Sequence, residues 1–83
     1  MIVTTGDLSR PYEVLGIVSD VAYSSGGFWD NDDALNYFTE TQKRIEKKAE
    51  KLGADAVICF RQNICGVESF AYVYSYGTAV KFK

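Results

Sequence analysis

The chain has no histidine, two cysteines, one proline and one methionine among its 83 residues. Without histidine there is no imidazole base beside a serine or cysteine nucleophile, and no imidazole metal ligand. Cys59 and Cys65 do not make a Cys-x-x-Cys pair. On one extended strand they would stand about 20 Å apart at roughly 3.3 Å per residue, too far for a disulfide or a shared ion. A turn near Asn63 would shorten that gap. No apolar run nears the roughly 18 residues that span a membrane. The amino terminus, Met1-Ile2-Val3-Thr4-Thr5-Gly6-Asp7, lacks the charged and apolar regions of a secretory signal, so the expected setting is cytoplasmic. An excess of positive charge is absent too. The net charge is −2, which argues against nucleic acid. Lys43, Arg44, Lys47, Lys48 and Lys51 are interleaved with Glu40, Glu46 and Glu50, as on a solvated helix face.

What the chain has in quantity is bulky apolar material. Hydrophobic residues make up 47% and aromatic residues 14%. Length predicts a single domain over 1–83, and a chain this small buries only about 60% of its unfolded surface.

The firmest local expectation is a helix from Asp33 to Gly53 running straight into a strand. Asp30, Asn31, Asp32 and Asp33 suit its positive end, and Gly53 supplies a left-handed stop. Leu35, Phe38, Gln42, Ile45, Ala49 and Leu52 recur at helical spacing, with Gln42 the single polar member. Strands are predicted at Ile2–Thr5, at Tyr12–Ser24 with a bulge at Gly16, at Ala56–Ile64, and at Phe70–Phe82. Cys65-Gly66-Val67-Glu68 reads as the turn between the last two. The final strand alternates. Phe70, Tyr72, Tyr74, Tyr76, Thr78, Val80 and Phe82 share one face, and the small residues Ala71, Ser75, Gly77 and Ala79 share the other with Val73 and Lys81.

One helix covers one face of a small sheet, yet both faces are apolar or aromatic. A second layer is required, and another copy of the chain is the expected source. Tyr72, Tyr74 and Tyr76 are therefore candidate interface residues. So are Phe28 and Trp29 on the loop before the helix, an aromatic pair that would serve as an anchor or a lid, or pack on its own sheet.

No sequence argument pairs two carboxylates for acid–base work, and Gly26-Gly27 lacks the rest of a phosphate loop. The acids at 30–33 lack the spacing of a calcium loop. No enzyme activity and no cofactor are expected. Metal binding is expected only weakly, at Cys59 or Cys65, through several copies gathered around an axis. Buried structural cysteine is the commoner fate.

Leu15-Gly16-Ile17-Val18-Ser19, Leu52-Gly53-Ala54-Asp55-Ala56-Val57-Ile58 and Tyr76-Gly77-Thr78-Ala79-Val80-Lys81, with the opening Ile2-Val3-Thr4-Thr5, resemble the YbjQ-like family. These are small bacterial and archaeal proteins catalogued for heavy-metal binding. The likeness runs from the first strand to the last, although the segment between Ser24 and the helix is shorter than is usual there. It implies an α+β subunit of the YbjQ-like and dodecin-like kind, with one long helix packed on a curved, mainly antiparallel sheet. It also implies homo-pentameric rings in which sheets of neighbouring subunits join. Two functional expectations follow: a non-enzymatic oligomeric binding or scaffolding protein, or a binder of a soft metal ion or small planar ligand at subunit interfaces.

Overall fold

Alternation in the sequence becomes a sheet with β4 at its centre. A computed structural model describes residues 1–24, 31–67 and 70–83, and side chains within 1–22, 36–64 and 72–83. The elements are β1 (Ile2–Val3), β2 (Tyr12–Ser24), α1 (Asn31–Lys51), β3 (Ala56–Val67) and β4 (Phe70–Phe82). Their order in the sheet is β1-β3-β4-β2. β4 is antiparallel to both β2 and β3, and β1 is parallel to β3. This is an α+β fold, one helix on a four-stranded mixed sheet. The chain is elongated: its radius of gyration is 14.1 Å, against about 12 Å for a compact domain of this length.

The helix ends as its glycine demands. Gly53 has φ +83°, and its N–H donates to the Glu50 carbonyl while Ala54 N–H reaches back to Ala49. That pair of bonds is a Schellman cap. Asp55 then locks the first residue of the turn to the far end of β4: its N–H donates to Val80 O, and its carboxylate accepts the Phe82 N–H. The Leu-Gly-Ala-Asp phrase therefore encodes a connection rather than a chemical site.

Small residues on β4 let the helix lie close. Ile45, Ala49, Val18, Val57, Phe60 and Ala79 form the core beneath it. At its centre the core is polar. The Ser75 hydroxyl donates to Thr41 Oγ1 at 2.7 Å, and the Gln62 amide donates to the Phe38 carbonyl at 2.7 Å and lies 3.1–3.2 Å from both hydroxyl oxygens. Thr41, not Gln42, is the buried polar residue of the stripe. Leu52 falls past the helix end and is 50% exposed.

Two differences from the sequence reading concern β3. It runs to Val67, so Cys65, Gly66 and Val67 are paired with Tyr72, Ala71 and Phe70 instead of forming a turn. It also carries a bulge. Ile58 pairs with Thr78 and Arg61 with Tyr76, leaving one extra residue on β3. Cys59 takes φ +53° there, and the shift turns Phe60 to the helix side. Gly77 lies under this kink: a Cβ on it would stand 2.6 Å from Val57 Cγ1. The bulge expected at Gly16 is present, between Val14 and Gly16 on β2.

The sheet's second face is covered in part by the chain itself. Ala56, Ile58 and Val80 form a smaller core closed by Leu8, Tyr12 and Phe82. Arg10 stacks over the Phe82 ring at 3.8 Å, and Tyr12 OH donates to Asp7 at 2.7 Å. The segment between β1 and β2 thus adds Leu8 and Arg10 to the cover of this face.

Candidate functional site

Beyond that small core the second face lies open. Residues paired across antiparallel strands share a face, so the register assembles the surface. β2 contributes Ile17, Ser19 and Val21. β4 contributes Tyr72, Tyr74, Tyr76 and Thr78, and β3 contributes Arg61 and Asn63. Arg61 is the single formal charge among them. Ile17 is 79% exposed, Tyr74 38% and Tyr76 41%. The tyrosines form a ladder: Tyr74 and Tyr76 stack at 6.5 Å with 14° between ring planes, and Tyr72 tilts against Tyr74 at 6.2 Å. Arg61 donates to the Thr5 and Phe60 carbonyls, and among the described residues no carboxylate pairs with it. A groove of about 370 Å³ lies where β2 meets β4, lined by Ser19, Val21, Tyr74 and Tyr76 together with Asp20, Lys48 and Ser75 of the helix side.

The candidate interface tyrosines are therefore brought together on one surface. Phe28 and Trp29 lie outside the described residues, as does the side chain of Cys65.

A charged cluster sits on the opposite, helix-bearing side of β2. Asp20 is register partner to the buried Ser75, and its carboxylate meets Arg44 and Lys48 at 3.2 Å each. Lys48 Nζ also donates to Ser19 O at 2.6 Å and Arg44 to Val21 O at 3.4 Å. Arg44 pairs further with Glu40. Two of the five basic residues read as a solvated face are thus tied to the sheet. The available signal was a lone aspartate in an apolar strand and cations four apart on the helix.

A third polar group is Asp7 with Tyr12. Hydrogen bonds from the Tyr12 hydroxyl and then the Leu8 N–H hold the Asp7 carboxyl below its ordinary value, and Asp7 in turn raises the Tyr12 phenol.

The two cysteine positions stand six residues apart on β3. Cys59 is free and exposed at the bulge, and Cys65 follows on the same unbroken strand. No turn at Asn63 shortens the distance between them. Among the described residues no three His, Cys, Asp or Glu side chains gather as metal ligands do. Soft cations want convergent thiolates or imidazoles, so the described part of one chain does not fit a heavy-metal centre. Among the described residues no helix is long and apolar enough to cross a membrane.

Comparison with known proteins agrees with this architecture. A family model described as "Putative heavy-metal-binding", that of YbjQ, matches residues 32–83. UPF0145 proteins of Thermotoga maritima and Thermotoga petrophila are each 52% identical over 42 residues, a stretch covering 49% of this chain and 40% of each relative. The match thus reaches well under two thirds of those relatives' length. A crystal structure of a protein of unknown function in the DUF74 family from Pediococcus pentosaceus superposes with a TM-score of 0.81, covering 100% of this chain and 98% of that one at 23% identity. At that identity the likeness is one of fold.

Proposed function

The chain belongs to the YbjQ family, and from that premise we propose that it is a self-associating, non-enzymatic binding or scaffolding protein whose copies meet across the tyrosine face. The observation that carries this reading is the make-up of that face. Three strands present Ile17, Val21 and the tyrosines with Ser19, Thr78 and Asn63 and one charge, Arg61, among them, while the exposed described positions of the helix are lysine, arginine and glutamate apart from Asn36 and Thr39. A sheet face meant for water alternates polar outward, and contiguous exposed apolar patches of more than a few hundred Å² mark contact sites. Tyrosine and arginine set among few other charges is the composition of an interface core. A second copy fits best because the face is nearly uncharged and part of every copy; in a ring the tyrosine face of each copy meets a different surface of its neighbour. The ring of five implied by the family resemblance is the form we assign to the assembly.

A second reading has its own support in the stacked Tyr74–Tyr76 pair beside an open groove, an arrangement that takes a planar ligand. Among the described residues, the heavy-metal description of the family has support only through Cys59 drawn from several copies.

Native mass spectrometry tests the first reading. A discrete multiple of the chain mass is expected at micromolar concentration, and a single-chain mass under the same conditions overturns it.

A further inference from the structure

An exposed sheet edge is a template for another strand, and natural sheets block it or use it. β2 is such an edge over thirteen residues. Its middle is already occupied. Lys48 Nζ donates to the Ser19 carbonyl at 2.6 Å and Arg44 to the Val21 carbonyl at 3.4 Å. Both cations are held over that edge by Asp20, whose side chain is only 13% exposed. Ser19 and Val21 are two residues apart, so their carbonyls point to the same side of the strand. Those are the acceptors an added strand would need.

We propose that Asp20, Arg44 and Lys48 form a clamp that closes the β2 edge to strand addition, so that copies of the chain meet through the tyrosine face and leave this edge outside the seam. The proposal rests on the tyrosine face being the contact between copies. It departs from the sheet-to-sheet joining that the family resemblance implies, for this edge. Placement supports it: the clamp lies on the helix side of β2, whereas Ile17, Val21 and Tyr74 lie on the other. An incoming strand would displace two ion pairs as well as two hydrogen bonds.

Replacing both cations while keeping their apolar stems, Arg44→Met with Lys48→Met, removes the clamp. The variant is expected to retain the wild-type assembly mass by light scattering at low concentration. As concentration rises, sedimentable, thioflavin-positive protein should increase several-fold over wild type. Adding Ser19→Pro, which removes the amide on the open side of an edge strand where proline is tolerated, should return that fraction to the wild-type level. Arg44→Met alone, which leaves the Lys48–Asp20 pair in place, should give an intermediate rise in sedimentable protein at unchanged assembly mass, and this arm reads the clamp even if the double variant folds poorly. The proposal is overturned if the double variant stays as soluble as wild type, or if proline does not rescue it. A monomeric wild type would sink the face reading separately. The clamp is then read on the monomer, whose double variant should still gain sedimentable protein.

Discussion

The Asp55 carboxylate accepts the backbone N–H of Phe82 at 2.8 Å, while the Asp55 N–H donates to Val80 at 2.8 Å. One residue therefore fastens the helix exit to the last residues of the chain's central strand. Asp55→Ala leaves the Phe82 N–H without its charged acceptor and should cost about 1–2 kcal/mol. Asp55→Asn keeps a side-chain carbonyl there and should cost less. Urea denaturation of the two variants measures the difference; equal losses would mean that the acceptor is immaterial.

Gly77 is a packing requirement. Gly77→Ala places a methyl 2.6 Å from Val57 Cγ1 with backbone close behind. Over-packing of this kind costs about 1–3 kcal/mol. Gly6→Ala meets nothing within 4 Å and should stay within about 0.5 kcal/mol of wild type. A thermal melt in which both variants behave alike would contradict the close approach at the bulge.

The Asp7–Tyr12 pair has two pH limits. The Asp7 carboxyl is lowered from 3.8, so what it contributes is present above that value and is lost as pH falls through the lowered pKa. The Tyr12 phenol is raised from 10.0, so its contribution is present below that value and is lost as pH rises through the raised pKa. Titration by NMR should show both displacements. Asp7→Asn should bring Tyr12 back toward its ordinary value, and an unmoved Tyr12 would rule out the pair.

Separated subunits should bind soft metal poorly. Cys59 is an exposed thiol without a convergent partner among the described residues, and a single thiolate makes a weak site. Cadmium added to a dissociated variant should give no saturating thiolate charge-transfer band at a one-to-one ratio in the micromolar range. A tight one-to-one band from single chains would place a metal centre inside the subunit.

Much of the architecture was readable beforehand because alternation and helical spacing survive in the final packing. The bounds of β2 and β4, the bulge at Gly16, the Gly53 stop and the small-residue face beneath the helix all follow from local pattern. The bulge at Cys59 does not, because a cysteine at positive φ leaves no compositional mark where a glycine would. That bulge moves Phe60 across the sheet and seats Gly77. Leu8 and Tyr12 closing the second core, and Asp20 drawing Arg44 and Lys48 to an edge, are long-range contacts that only the assembled sheet reveals. The tyrosine face stood out in sequence for a simpler reason: four aromatic residues at alternate positions cannot all be hidden by a helix on the other side.

Size-exclusion chromatography with light scattering on wild type, Tyr74→Asp and the helix-face control Lys47→Asp tests the central claim most directly. A carboxylate buried in an apolar contact is costly unless it is paired. Wild type and the helix-face control should run at the mass of a five-chain ring, and Tyr74→Asp should fall to a single chain. A wild type at single-chain mass, or a Tyr74→Asp variant that keeps the wild-type mass, would contradict the account.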